Sequence, residues 1–342
     1  MSPTHATLEE LLGHDSSKPN DVEACHSAFE HTYVTLEELL RSNSSKPTRK
    51  DDAPDILALT EFLKETKIED KTENKQAVTL VSTPEQVSAM LESIKDLPTN
   101  PPSLYIDLEG VNLSRHGTIS ILQIYVAPRD ETYLVDVYTL KEKAFSTPSS
   151  SLSSSSASSN SSKSKTNGNG DSKSTTLKSL LESPTTPKVI FDVRNDSDAL
   201  YAHYNIHLAG IHDLQLMELA TRSFPRRYVQ GLARCIECDA KIAYAERAKW
   251  KEAKEKGVRL FAPERGGSYE VFNERPLRRD IVEYCVQDVK YLPVLWGVYD
   301  RRLTRGWRGR VEGEVRERIA LSQSAGFCGK GRNMALAPGG WD

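Results

Sequence analysis

The stretch Leu104-Tyr-Ile-Asp-Leu-Glu-Gly110 determines which architecture the rest of the chain must fit. Successive residues of a β-strand point to opposite faces, so the apolar residues at even positions share one face. That face predicts a buried strand. Asp107 and Glu109 share the other face, so both carboxylates reach the same place above the sheet. This strand therefore carries the first candidate functional residues.

A second informative pattern lies between Asp280 and Leu292. Its apolar residues recur at helical spacing, about 100° per residue, which predicts an amphipathic helix. Tyr284 and Asp288 are i and i+4 on this helix, so they are stacked one turn apart along the edge of the buried stripe. We expect them to lean into one cleft.

Carboxylates gathered in one place indicate a divalent-metal site. Hard oxygen ligands suit Mg²⁺ or Mn²⁺, and two such ions about 4 Å apart can promote cleavage of a phosphodiester bond. Clustered carboxylates repel each other unless cations neutralise them. Tyr284, with an ordinary pKa of about 10, is expected to orient water rather than to act as a free base.

Three blocks of sequence follow one another in a specific order. They are Leu104 to Gly110 with the hairpin Ile119-Ser-Ile-Leu-Gln-Ile124, then Lys188-Val-Ile-Phe-Asp-Val-Arg-Asn-Asp-Ser-Asp-Ala-Leu200, then Tyr284-Cys-Val-Gln-Asp288 preceded by Arg275-Pro-Leu277. The blocks resemble the motifs of the DEDD superfamily of 3′-5′ exonucleases, in its DEDDy, RNase D-like branch. The resemblance implies an RNase H-like (DnaQ-like exonuclease) α/β core, with a mixed five- to six-stranded sheet flanked by helices.

The resemblance also implies roles for individual residues. Asp107, Glu109 and Asp288 would bind two ions, Mg²⁺ or Mn²⁺, and Asp196 would assist one of them. Tyr284 would complete the catalytic set.

The middle acid is open, because Asp192, Asp196 and Asp198 all lie in the second block. We choose Asp196, which directly follows Asn195 and lies eight residues before Tyr204, a placement similar to that in RNase D-like sequences. Asp198 is the second choice. A helix that begins near Asn195 would put Asp196 in its first turn, where a carboxylate suits the helix dipole. Helix capping is therefore the alternative role for Asp196.

The function implied by the resemblance is metal-dependent 3′-5′ exonuclease activity that releases nucleoside monophosphates. The expected partner is nucleic acid with a single-stranded 3′ end, RNA in preference to DNA, with no membrane. One alternative is a non-catalytic RNA-binding adaptor on the same fold. Another is an RNase H-like endonuclease, which the Tyr284 to Asp288 pair disfavours.

Residues 1–75 form an acidic segment, with 16 acidic and 9 basic residues in a chain whose net charge is −3. Few aromatic residues and many charged ones predict that it is largely disordered. It contains a duplicated motif, Thr7-Leu-Glu-Glu-Leu-Leu12 and Thr35-Leu-Glu-Glu-Leu-Leu40. Each copy has capping-box spacing and a leucine stripe, which predict a short helix. The pair either docks into a protein partner or is a solvated local duplication.

The exonuclease domain is predicted to span residues 76–305, with a basic C-terminal extension at 306–342. A Ser-rich run at 146–176 interrupts the domain and is predicted to be a disordered insertion, which is tolerated when its ends lie close together. The domain is expected to begin with a strand at Val78 and a helix capped at Thr83. Strands at about 118–126 and 132–137 complete a meander with the first catalytic strand.

Cys235 and Cys238 have the spacing of a metal-binding pair, but we predict that both are core residues of a helix. The five cysteines, with no signal peptide and no long apolar run, favour an intracellular protein of the cytoplasm or nucleus that is not secreted.

Nucleic-acid contacts must come from local basic groups, since the net charge gives no support. Three arginines surround Phe224 and Tyr228, and more follow between Arg301 and Arg310. These groups either hold phosphates and stack bases or form a solvated surface. The charged stretch Ala243 to Lys256 is predicted to be an exposed helix near the active-site mouth, which either guides substrate or only keeps the surface hydrated.

Overall fold

The structure is a computed structural model that describes residues 77–150 and 174–341 of the chain. The predicted disorder of residues 1–75, their duplicated motif and most of the Ser-rich run fall outside the described residues. No helix within the described ranges is long and apolar enough to cross a membrane.

A six-stranded mixed sheet forms the centre of the described domain, with strand order β1-β4-β3-β2-β5-β6. The strands are β1 (Ala77–Val81), β2 (Leu104–Glu109), β3 (Ile121–Val126), β4 (Glu131–Val135), β5 (Lys188–Ile190) and β6 (Ile211–Asp213). Strands β2, β3 and β4 form the predicted antiparallel meander. Strand β1 runs parallel to β4, β5 runs parallel to β2, and β6 runs parallel to β5.

Helices flank the sheet and lie in the long connections between strands. They are α1 (Pro84–Ser93), α2 (Val137–Leu140), α3 (Lys143–Ser146), α4 (Leu177–Leu181), α5 (Arg194–Tyr204), α6 (Leu214–Thr221), α7 (Leu232–Asp239), α8 (Tyr244–Phe261), α9 (Arg279–Lys290), α10 (Leu292–Arg302) and α11 (Arg305–Gln323). Short 3₁₀ helices occupy Ala127–Arg129, Pro263–Arg265, Tyr269–Asn273 and Arg332–Ala335. The predicted RNase H-like α/β fold class, with its mixed sheet flanked by helices, is confirmed.

Local sequence signals explain several element boundaries. Helix α1 begins with the predicted capping box. The Thr83 hydroxyl accepts a hydrogen bond from the Gln86 amide, and the Gln86 side-chain oxygen accepts one from the Thr83 amide. The prediction that β4 continues to residue 137 is wrong. Asp136 instead caps α2 by accepting from the Thr139 backbone, and Arg275 holds the same carboxylate in an ion pair at 2.5 Å.

The centre of the sheet is largely buried, which fixes the position of the strand that carries Asp107 and Glu109. All six residues of β3 are buried, and Leu104, Ile106 and Leu108 of β2 face the core as the alternation predicts. Helix α9 packs against β2 and β3, whereas α10 packs against β5. The strand that carries Asp107 therefore lies between covered neighbours, where it has little freedom to move.

The Ser-rich run leaves and re-enters the domain at a single place. Pro148 and Thr176 form an antiparallel bridge, and the Ser149 amide donates to the Thr175 carbonyl at 2.7 Å. The described ends of the insertion therefore lie side by side, which is the arrangement that lets a long loop leave a fold intact.

The segment after residue 305 contributes to the same core as the sheet. Val311 and Val315 of α11 are buried in it, together with Trp341, whose ring lies 5.1 Å from that of Trp307. Arg318 of α11 donates to the fully buried carboxylate of Asp213 at 2.8 Å. A buried ion pair thus connects α11 to the end of β6.

We predict that Arg318→Leu lowers the free energy of unfolding by about 3–5 kcal/mol, because it leaves the carboxylate of Asp213 buried without its cation. Chemical denaturation followed by circular dichroism measures the change. Arg316→Leu, on the exposed side of the same helix, is the matched control and should change stability by less than about 0.5 kcal/mol. Equal effects of both substitutions would contradict the prediction.

Candidate active site

The structure brings three of the predicted acids together. Asp107 and Glu109 project from the same face of β2, and Asp288 reaches them from α9. One oxygen from each of the three carboxylates lies within 4.8 Å of the other two. Asp107 and Glu109 are half-buried and Asp288 is buried. Strand alternation and one helical position therefore place three carboxylates in one small space.

Tyr284 lies one turn before Asp288 on α9, as its spacing predicts, and only 8% of it is exposed. Burial raises the pKa of its phenol well above the usual value, and the carboxylates of Asp288, Glu109 and Asp107 raise it further. The Tyr284 hydroxyl is therefore protonated at neutral pH. It can therefore donate a hydrogen bond.

The acids of the second block have different partners, and these separate the candidates for the middle position. Asp198 pairs with Arg115, whose Nε donates at 2.6 Å and whose backbone amide donates at 2.8 Å. Asp192 is held by Arg194 at 2.6 Å. Both carboxylates are therefore committed to structural ion pairs.

Asp196 lies near enough to the acid cluster to interact electrostatically with Asp107, although it is not one of the three acids whose oxygens lie within 4.8 Å of one another. It lies in the first turn of α5, is buried, and has a pKa raised by burial first and by the carboxylate of Asp107 second. The pKa of Glu109 is in turn raised in part by Asp196. The geometry thus supports the choice of Asp196 over Asp198, although its role as a ligand stays a prediction.

Burial and mutual repulsion dominate the electrostatics of the cluster. Burial raises the pKa of Asp107 to about 7, and the nearby charge of Asp288 adds to the effect. Burial also raises the pKa of Glu109 well above its usual range, with Asp107 and Asp288 as further causes. Four acids that are reluctant to ionise together need positive charge if all of them are to be carboxylates at neutral pH.

The donor set fits a divalent ion. Every candidate ligand atom is a carboxylate oxygen, the type that Mg²⁺ and Mn²⁺ prefer. Oδ2 of Asp288 is buried and accepts no hydrogen bond from the described residues. A buried acceptor without a donor is unfavourable, and a cation bound there would remove that cost.

Helix α8 covers the site from one side, and its contacts are not evident from the sequence. A Cβ atom on Gly257 would lie 2.3 Å from Cδ2 of Tyr284, so glycine lets the two helices approach closely here. The ring of Phe261 packs edge-on against that of Tyr284 at 5.0 Å. Lys254, also on α8, donates from its ammonium to Oδ1 of Asp288. The charged helix predicted to lie near the active-site mouth thus directly contacts two of the predicted catalytic residues, Tyr284 and Asp288.

Gln123 is a further residue at the site, and the sequence patterns did not predict it there. It pairs across the sheet with Asp107 and is fully buried. Neither its side-chain oxygen nor its nitrogen has a hydrogen-bond partner among the described residues. The sequence feature that could have identified Gln123 is its place in the hairpin of the first motif block.

Several arginines that were predicted to form a basic surface instead make contacts with other residues of the domain. Arg222 pairs with the buried carboxylate of Glu218, Arg226 stacks on the Trp307 ring at 4.8 Å, and Arg308 bonds to Asp300 at 2.8 Å. Exposed aromatic surface remains at residues 224 and 228.

The two cysteines of the metal-like spacing lie in different environments. The prediction that both are core residues is half right, because Cys235 is buried and Cys238 is exposed.

Comparison with known proteins agrees with the fold. The model of the 3′-5′ exonuclease family matches residues 78–298, which include all three motif blocks. The chain therefore belongs to this family, as the predicted resemblance to DEDD, RNase D-like exonucleases requires. No curated protein matches the chain.

Solved structures of RNase D from Trypanosoma brucei have a similar fold. The complex with RNA U12 gives a TM-score of 0.56 at 18% identity and covers 78% of both chains. The GMP complex gives a TM-score of 0.55 at 17% identity and covers 78% of this chain and 71% of the other. The fold of this member of the exonuclease family is thus similar to that of RNase D.

We predict that Asp107→Asn stabilises the metal-free protein at pH 8 by about 1–3 kcal/mol, because it removes one of several crowded like charges. A carboxyl whose pKa is raised in the folded state costs stability as the pH rises from about 4 through about 7. The gain should therefore shrink as the pH falls toward 4. Denaturation in the presence of a chelator, repeated across this pH range, measures it.

Asp198→Asn is the matched control, because Asp198 has an arginine partner rather than acidic neighbours. It should lower stability, since Arg115 loses its partner. A loss of stability in both variants at pH 8 would contradict the repulsion that we infer at Asp107.

We also predict that Gly257→Ala lowers the free energy of unfolding by about 1–3 kcal/mol, since overpacking outweighs the better helix propensity of alanine. Gly309→Ala is the control, because a Cβ atom at Gly309 meets nothing within 4 Å among the described atoms. That substitution should stabilise α11 by about 0.5–1 kcal/mol. A stabilised Gly257→Ala protein would show that α8 does not pack closely on Tyr284.

Proposed function

We propose that the protein is a metal-dependent 3′-5′ exonuclease that removes nucleoside monophosphates from the single-stranded 3′ end of RNA. The observation that carries this proposal is the convergence of carboxylate oxygens from Asp107, Glu109 and Asp288 within 4.8 Å of one another. Membership of the 3′-5′ exonuclease family supports the reaction class.

The chain would divide the work among its side chains. Asp107, Glu109 and Asp288 would hold a pair of Mg²⁺ or Mn²⁺ ions, and Asp196 would assist one of them from α5. When bound, these ions supply the positive charge that stabilises the attacking water and the leaving 3′ oxygen of an in-line displacement. The buried β2 strand fixes the direction of the first two carboxylates, so little reorganisation is needed when substrate arrives.

Tyr284 would act as a protonated hydrogen-bond donor. Its raised phenol pKa makes proton abstraction by this group unfavourable at neutral pH, whereas donation to a water or a phosphate oxygen has no such cost. The expected contribution is orientation of the attacking water, and Tyr284→Phe removes that contribution without removing a metal ligand.

RNA is favoured as substrate by comparison. The similar Trypanosoma brucei RNase D was solved with RNA U12 and with GMP. A bound ribonucleotide strand and a mononucleotide are the substrate class and product class that the proposed reaction requires. DNA as a substrate is tested directly by the matched strand in the experiment below.

Incubation of the full chain with 5′-labelled RNA and Mg²⁺ is expected to give a ladder that shortens from the 3′ end and is abolished by chelator. Asp107→Asn and Asp196→Asn should each reduce the rate by at least about 100-fold, because a carboxylate of the metal cluster is lost. Asp198→Asn should keep most of the activity, since Arg115 rather than the cluster holds that carboxylate. The same assay on a DNA strand of identical sequence measures sugar preference.

Other outcomes correspond to other functions. Cuts inside the strand, rather than a ladder, would indicate an endonuclease. RNA binding that survives chelation, with intact RNA in both Mg²⁺ and Mn²⁺, would indicate the non-catalytic adaptor. Loss of activity in Asp198→Asn with retention in Asp196→Asn would reverse our assignment of the middle acid.

A further inference from the structure

Lys254 is the basic side chain that enters the carboxylate cluster from α8. Its ammonium donates to Oδ1 of Asp288, and the same nitrogen lies 3.5 Å from the ring centroid of Tyr284. The Lys254 side chain is 19% exposed and that of Asp288 is 7% exposed. The pair is therefore largely removed from water, where an ion pair is stronger than at the surface.

The position of Lys254 is fixed by its helix. Lys254, Gly257 and Phe261 are spaced at i, i+3 and i+7, so they form one face of α8, and the latter two pack directly on Tyr284. The ring of Tyr284 attracts the ammonium through its negative face. The ammonium is therefore held beside Asp288 by packing that does not depend on any bound ion.

This ammonium acts on more than its direct partner. The charge of Lys254 lowers the pKa of Asp107, Glu109 and Asp288, against the burial that raises all three. Lys254 thus supplies part of the positive charge that the crowded acids require. A divalent ion would supply charge of the same sign at the same carboxylates.

Two cations of the same sign cannot both lie against Asp288 without repelling each other. An ion that binds an oxygen of this carboxylate must either displace the ammonium or tolerate it a few ångströms away, and repulsion at that distance in a partly buried site is unfavourable. The ammonium of Lys254 bonds to Oδ1, while Oδ2 of the same carboxylate has no donor among the described residues. An ion at Oδ2 would therefore share one carboxylate group with the ammonium.

We propose that Lys254 is the exchangeable counter-ion of the cluster, which neutralises Asp288 while no divalent ion is bound and competes with the ion for that carboxylate. This inference rests on the proposed function, since it requires that the cluster binds metal. It adds that a divalent ion would replace the Lys254 ammonium at Asp288, rather than bind at a site that holds no cation.

Such an exchange explains why a cluster of buried acids tolerates the metal-free state. Without Lys254, the charged side chains that the described residues place at the cluster would all be negative, and Asp288 would be buried without its ion-pair partner. With Lys254, the fold keeps a partial counter-charge. The cost of this protection is weaker metal binding.

The test is Mn²⁺ binding to the unmodified protein and to Lys254→Met, followed by the electron paramagnetic resonance signal of free Mn²⁺. Methionine keeps an unbranched side chain over the Tyr284 ring but has no charge. Losing a charge-assisted hydrogen bond that competes with the ion should tighten Mn²⁺ binding by roughly tenfold. The metal-free variant should also melt at a lower temperature, and saturating Mn²⁺ should raise its melting temperature by more than that of the unmodified protein.

Two further variants serve as controls. Lys254→Arg keeps the positive charge and should bind Mn²⁺ more like the unmodified protein than like Lys254→Met. Lys256→Met removes a lysine from the same helix that pairs only with the exposed carboxylate of Glu252 at 2.8 Å in the described structure, so its affinity for Mn²⁺ should be unchanged. Circular dichroism of each variant checks that the fold is retained.

The outcomes separate this inference from the function on which it rests. Unchanged or weaker Mn²⁺ binding by a folded Lys254→Met protein would overturn the exchange, because those are the results expected of a lysine that has only a structural role. Absence of Mn²⁺ binding by the unmodified protein would overturn the metal-dependent function and the exchange together.

Discussion

Repulsion among crowded carboxylates is the constraint that the rest of this domain has to overcome. Asp107, Glu109 and Asp288 are brought within a few ångströms by a strand and a helix that are far apart in sequence, and Asp196 adds a fourth acid from α5. Left to themselves these groups would separate and seek water. They stay together because β2 lies in the centre of a covered sheet and because α9 is packed on it by α8. The apolar core thus stabilises a charged site that would not assemble alone.

The parts of the site that the sequence predicts are those set by local geometry. Alternation along β2 places Asp107 and Glu109 on one face, and the i, i+4 spacing on α9 brings Tyr284 next to Asp288. Neither inference needs a contact between distant segments. The sheet itself follows from the same kind of pattern, since its buried strands and capped helices each have a local signal.

The identity of the middle acid depends on tertiary ion pairs, which the sequence alone does not show. Asp192, Asp196 and Asp198 lie within one short block, and each is compatible with a helix start. The choice turns on Arg115, which is 83 residues away from Asp198 in the chain and neutralises it. Which acid is free to face the cluster is therefore a property of tertiary ion pairing, and a motif alone leaves it undecided.

The contacts of helix α8 are not predictable from its sequence for a related reason. Its alternating lysines and glutamates have the pattern of a solvated helix, and most of them are solvated. Only the face that carries Lys254 and Gly257 is covered, and a glycine within a charged helix gives no sign that an aromatic ring packs against it. Close packing of helix on helix is decided by the partner surface, which the sequence of one helix does not describe.

The distribution of positive charge indicates a second role for the acid cluster, which is to attract the phosphate backbone once cations are bound. Several arginines that could attract a phosphate backbone are committed inside the domain, as Arg222 is to Glu218 and Arg318 is to Asp213. The strongest attraction for a phosphodiester is then expected at the acid cluster itself, once divalent ions reverse the sign of its charge. In that state the ions would both relieve the repulsion between the carboxylates and supply the positive charge that attracts a phosphate. Binding of substrate and stability of the acid cluster would thus depend on the same cations, because a cluster of acids alone repels the phosphate that we propose it cleaves.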